Sequence, residues 1–171
     1  MAAPSAPPAP ASGYSTFLCT TPEHMARSLA IRHEVFCVEQ GYDPKIEVDH
    51  RDKDCDHILM VKTNEDGMTE DVGTIRWYAP ESKLGRFAIR SPFRGGTGRL
   101  LSFALEEHIR TRSGRAADKY RGMDEAEVLA YAQMIAIGFY DRNGWERVGE
   151  VFMEEGQPHC KVSKKIKLVP E

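Results

Sequence analysis

The sequence predicts an α/β domain built on one mixed β-sheet with helices on both faces. Two observations carry that prediction. Strand-like and helix-period segments follow one another in the order β-α-β-β-β-α-β-α-β-β, a pattern that lays helices against a sheet rather than into a bundle. The chain has 171 residues, 41% hydrophobic and 29% charged, which is the size and balance of a single globular domain. We assign that domain to residues 14–171. Met1–Gly13 holds four of the ten prolines and is expected to be a disordered tail, because proline fixes φ and removes a donor.

Tyr14–Leu18 reads as the first strand. Thr21 before Pro22 suits a helix start, with the hydroxyl as cap and proline at the first helical position. The helix is expected from Glu23 to Val38, with Met25, Leu29, Ile31, Val35, Phe36 and Val38 on its apolar side. Glu39–Asp56 is polar and reads as a loop. His57–Val61, Val72–Ala79 and Lys83–Arg90 follow as strands, the first two separated by a turn at Asn64-Glu65-Asp66-Gly67. Leu101, Ala104, Leu105 and Ile109 have helical spacing and predict a helix over Leu100–Arg112. Gly114–Glu125 is a charged connector. Glu127–Ala132 is a strand, and Gln133–Asn143 a short helix ended by Asn143-Gly144. Trp145–Leu168 reads as two strands turning near Gly156-Gln157-Pro158.

Composition excludes several functions. The net charge is −3, from 23 basic and 26 acidic side chains, and the charges are interspersed. Binding of nucleic acid through phosphate neutralisation is therefore not expected. No apolar run approaches the roughly 18 residues of a membrane span. Cys19, Cys37, Cys55 and Cys160 are scattered, unlike a secreted disulfide scaffold, and the N-terminus lacks the pattern of a secretory signal. A reducing, cytoplasmic setting is expected, with the protein a monomer or homodimer. Metal sites are not expected. Asp52-x-Asp54-x-Asp56 lacks the glycine and glutamate of a calcium loop, and Cys55 and His57 lack a second ligand pair for zinc.

The chemistry concentrates in two stretches. In Lys83–His108 a strand feeds a turn made of Arg94, Gly95, Gly96, Thr97 and Gly98, which opens a helix at Arg99. Unpaired N–H groups and the dipole at a helix start attract phosphate, and glycines admit it closely. The turn is neither a P-loop nor G-x-G-x-x-G. In the second stretch, Gln133–Trp145, Tyr140 on a short helix is placed to donate a proton, although an aromatic pair such as Phe139-Tyr140 also packs well.

Together the two stretches, in this order, resemble the GCN5-related N-acetyltransferase superfamily over Tyr14–Leu168. The segment opening R-x-x-V-F-x-x-E-Q at Arg32, with Asp49, Asp52 and His57, and the ending F-x-E-E-G-x-P-H from Phe152 to His159, are similar to its ElaA-like branch. The resemblance implies a mixed, splayed sheet that grips acetyl-CoA between its fourth and fifth strands. It implies that the pantetheine arm pairs with Phe87, Ala88 and Ile89, that the pyrophosphate rests on Arg94, Gly95, Gly96, Thr97, Gly98 and Arg99, and that an N–H near Ile89 polarises the thioester oxygen. Tyr140 would protonate the departing thiolate. Gln133 stands where many relatives have asparagine.

The acceptor would be a small-molecule or peptide amine. A lysine-like amine is less than about 1 in 1,000 deprotonated at pH 7, so a base is needed. Candidates are Glu39, Asp49, Asp52, Glu154, Glu155, His57 and His159, with Glu39 preferred. No cysteine is placed as an acyl carrier, which favours direct attack in a ternary complex. One departure stands out: against the family's R-x-x-G-x-G/A, the turn from Arg94 is one residue short. Two alternatives therefore stand beside the enzyme: a non-catalytic module of the same fold that binds CoA weakly, and a relative of the acyl-homoserine lactone synthases.

Overall fold

The structure, a computed structural model, describes residues 13–170. Apart from Gly13, the expected tail lies outside the described residues. The domain is a seven-stranded sheet in the order β1-β2-β3-β4-β5-β7-β6. Its strands are β1 (Tyr14–Leu18), β2 (Cys55–Thr63), β3 (Thr69–Tyr78), β4 (Lys83–Ile89), β5 (Glu125–Gln133), β6 (Glu146–Glu154) and β7 (Gln157–Lys167). Only β4 and β5 run parallel; every other neighbouring pair is antiparallel. The helices are α1 (Pro22–Arg32), α2 (Pro44–Glu47), α3 (Thr97–Arg110), α4 (Ala116–Lys119) and α5 (Ile137–Arg142).

Alternation along the strands sorts the core into two layers. Ile58 and Met60 of β2, Ile75 and Trp77 of β3, and Val128 and Ala130 of β5 pack with Leu101, Leu105 and Ile109 of α3. Leu59 and Val61 point the other way, onto Ile31 and Val35. The first face carries the larger core. The second is covered by α1 mainly over β2 and β3, with a smaller contact to β4, and it stays open over β5 and β7.

Several element boundaries differ from the sequence expectation: Gln133 ends β5 and α5 begins only at Ile137, and three further differences have clear causes. The first helix is α-helical only to Arg32; His33–Glu39 forms a π-helix, with Gln40 N–H donating to the Val35 carbonyl. A wider turn advances more residues per revolution, so Val38 is 71% exposed instead of lying on the apolar stripe. The central helix starts at Thr97 rather than Leu100, because Gly96, at φ 134°, serves as its N-cap. The last hairpin turns at Glu155-Gly156, with φ of 49° and 75°, and Pro158 already lies in β7. Two successive positive φ values match the twist of a tight hairpin. Thr21 caps α1 as expected, accepting from the His24 N–H at 3.2 Å.

Candidate active site

β4 and β5 pair only at Lys83 with Leu129 and at Leu84 with Ala130. Beyond Leu84 the two strands part, and the β5-facing edge of β4 has no strand partner. Such an edge is a template for an extended ligand. The parting opens a cleft of about 790 Å³ that runs through the sheet from one face to the other.

A bulge directs the side chains along its floor. Between Thr74 and Arg76 the register of β3 with β4 shifts, and Arg86 sits at φ 45°, a left-handed conformation that costs a non-glycine residue roughly 1–3 kcal/mol. The extra residue reverses the parity of β4: Leu84 and, three residues on, Phe87 both face the α3 core. Arg86 is held in place by donating to the carbonyls of Glu47 at 3.0 Å and Ile46 at 3.1 Å.

The α3 side of the cleft is lined by Phe87, Ile89, Arg94, Gly98, Ala136, Phe139 and Tyr140. The turn from Arg94 to Arg99 sits at its end. Arg99 N–H donates to the Gly96 carbonyl and Arg94 N–H to that of Ser91, while the N–H groups of Gly95, Gly96, Thr97 and Gly98 donate to no described residue. Four adjacent free donors at the start of a 14-residue helix form an anion cradle. Gly98 is also a matter of space: a Cβ there would meet the rings of Phe139 at 3.4 Å and Phe87 at 3.6 Å.

Tyr140 is 7% exposed and rests edge-on against Phe139 and Trp145. Its hydroxyl has no hydrogen-bond partner among the described residues and lines the cleft. Burial pushes the phenol well above the ordinary tyrosine range, so it stays a proton donor at neutral pH. Ala88 is buried on the opposite face, in the cluster with Ile31 of α1, and does not line the cleft. Gln133, at the end of β5, donates from Nε2 to the Tyr42 hydroxyl at 3.1 Å.

The candidate bases separate clearly. Glu39 does not line the cleft; its carboxylate receives the Arg94 guanidinium at 2.6 Å. His57 is buried and turned to the Asp52 carbonyl. Burial favours the protonated Asp49 carboxyl, but bonds from Arg76 and the charge of Arg86 outweigh it and hold the group down to about 2. Asp52 is likewise held low by Arg32 and Arg76, against its own burial. Glu154, Glu155 and His159 line the second face. His159 Nδ1 lies 2.9 Å from the Gln157 carbonyl. A carbonyl only accepts, so Nδ1 carries the proton and the neutral ring's lone pair is on Nε2, 3.9 Å from Glu154.

A buried network that the sequence reading passed over shapes the second face. Arg32, fully buried, donates to Asp52 at 2.8 Å and to the Glu47 carbonyl at 2.9 Å. Arg76 donates to Asp49 at 2.8 Å and Asp52 at 2.6 Å. These bonds pin α2 over β3 and β4. The opening motif at Arg32 carried part of the signal; the Arg76 and Arg86 partnerships depend on strand register.

All four cysteines are free and none lines the cleft. Burial raises Cys19 to about 11 and Cys55 to about 12, which keeps both as unreactive thiols. Among the described residues no cluster of ligating side chains is arranged to hold a metal ion.

A sheet split between parallel neighbours, with free helix N–H groups beside the split and a buried phenol over it, fits an acyltransferase of the CoA-dependent class. The comparisons agree. An acetyltransferase relative from Bacillus subtilis (strain 168) is 31% identical over 151 residues, 85% of this chain and 92% of that one. An acyl-CoA N-acyltransferase from Pseudomonas aeruginosa superposes with a TM-score of 0.67 at 27% identity, covering 88% of this chain and 97% of the other. Escherichia coli ElaA has the same fold, with a TM-score of 0.66 at 24% identity over 88% and 97% of the two chains. No family model matches the sequence. The chain belongs to the GCN5-related N-acetyltransferase superfamily.

Proposed function

We propose that the protein transfers an acetyl group from acetyl-CoA to a primary amine, in one domain and by direct attack in a ternary complex. The observation that carries this reading is the open edge of β4 leading from four free N–H groups to the Tyr140 phenol. The pantetheine arm lies along Phe87, Ala88 and Ile89, and the pyrophosphate on Gly95–Gly98, with Arg94 and Arg99 adding charge. Gln133 closes the arm from the β5 side. A strand N–H near Ile89 receives the developing oxyanion. Tyr140 gives its proton to the thiolate as the tetrahedral intermediate collapses.

The shorter turn is compatible with this reading, because α3 begins early enough to supply N–H groups directly after Gly96. Glu39 acts through Arg94, holding its guanidinium beside the cradle. His159 Nε2, with Glu154 behind it, takes the proton from the incoming ammonium. No cysteine lines the cleft, which argues against an acyl-cysteine route. No described helix is long and apolar enough to cross a membrane, and acetyl-CoA as donor places the reaction in the cytoplasm. The test is release of free CoA thiol from acetyl-CoA in the presence of a panel of amines. Amine-dependent release supports the reading; release independent of every amine sinks it.

A further inference from the structure

Five cationic side chains line the cleft, and four are engaged by carboxylates. Arg94 pairs with Glu39, Arg76 with Asp49 and Asp52, Arg86 with Glu47 and Asp49, and Arg51 with Glu81. Lys83 is the fifth. Among the described residues no carboxylate contacts its ammonium, which sits 3.4 Å above the centre of the Tyr131 ring. The side chain is half-buried, and burial lowers its pKa even though Glu154 and Glu81 act to raise it. A half-buried ammonium supported only by an aromatic face is held at a cost that an anion would relieve.

Parity tells which ligand brings that anion. Lys83 and Tyr131 alternate with Leu84 and Ala130, both in the α3-side core, so they stand on the second face with Tyr78, Gln133 and His159. The anion cradle and Tyr140 belong to the α3 side. A CoA molecule held there keeps its phosphates at Gly95–Gly98, away from Lys83. The second face is instead walled by Tyr42, Tyr78 and Tyr131, with Glu154 and Glu155 at its mouth. Glu154 and Glu155 suit an ammonium, and the Lys83 ammonium, which no carboxylate contacts among the described residues, suits an anion. A single free cation matches a single negative charge.

We propose that the acceptor is an amine bearing its own carboxylate, and that Lys83 holds that carboxylate on the face of the sheet opposite the CoA cradle. This inference rests on the acyltransferase reading for the amine's fate, and on geometry alone for the carboxylate site.

The experiment titrates the full chain, saturated with CoA, with aliphatic and aromatic amino acids, each paired with its carboxamide. The expected result is at least about tenfold tighter binding of the acids. Lys83→Met, which keeps the apolar stem, should bring acid and amide to within about threefold of each other, and Lys83→Arg should restore the preference. The proposal is overturned if acids and amides bind alike in the wild type, if neither binds, or if the preference survives in Lys83→Met. Thiol release measured in parallel separates the two claims. Selective acid binding without release leaves the carboxylate site standing and removes the transferase reading.

Discussion

Tyr140 is the residue on which the proposed chemistry bears most directly. Its ring is fixed edge-on between Phe139 and Trp145, and its hydroxyl opens on the cleft without a partner. Burial keeps the phenol protonated, and the same dry surroundings raise the basicity of a thiolate leaving next to it. Phenylalanine preserves the packing and removes only the proton. Tyr140→Phe is therefore expected to lower kcat at least about tenfold, roughly 1.4 kcal/mol of transition-state stabilisation, with little change in KM for acetyl-CoA. A kcat within about threefold of wild type in the thiol-release assay removes the acid role. The residue was legible through the family resemblance, since an aromatic pair on a short helix by itself reads as packing. Lys83 was not, since nothing local marks which strand lysine loses its carboxylate partners.

At the level of elements, the short helix α2 illustrates how charge holds a wall of the site in place. Arg32 and Arg76 draw Asp49, Asp52 and Glu47 together beneath it, and the Arg86 bulge closes on its carbonyls. Asp49 has a folded-state pKa of about 2, below its ordinary 3.8. Its contribution to stability is thus fully present above about pH 4 and is lost as pH falls toward 2. The urea midpoint of wild type minus that of Asp49→Asn should shrink over that window and stay constant at higher pH. A gap that is flat through the acid range contradicts the assignment. The sequence placed this segment in a polar loop, because α2 has four residues and is held by long-range arginines rather than by periodicity. The π-helix at His33–Glu39 escaped for a related reason: its apolar residues fit an α-helical pattern that tertiary packing overrides.

Across the whole molecule, function follows from how one sheet distributes its two faces. The α3 face is packed along β2 to β7, whereas α1 leaves the second face uncovered past β4. The parting of β4 from β5 joins the two, so donor and acceptor can meet through the sheet from opposite sides. The succession of the strands and longer helices along the chain, and the glycine turn, were readable from periodicity and motif. The parity reversal at Arg86 was not, because it depends on one residue in a left-handed conformation. The central claim is that the Gly95–Gly98 cradle and the open β4 edge bind CoA despite the shortened turn. Calorimetric titration of the purified protein with acetyl-CoA and with CoA tests it most directly. The account predicts one-to-one binding in the micromolar range, about −8 kcal/mol at 1 μM. No detectable heat with either ligand at millimolar concentration would contradict it.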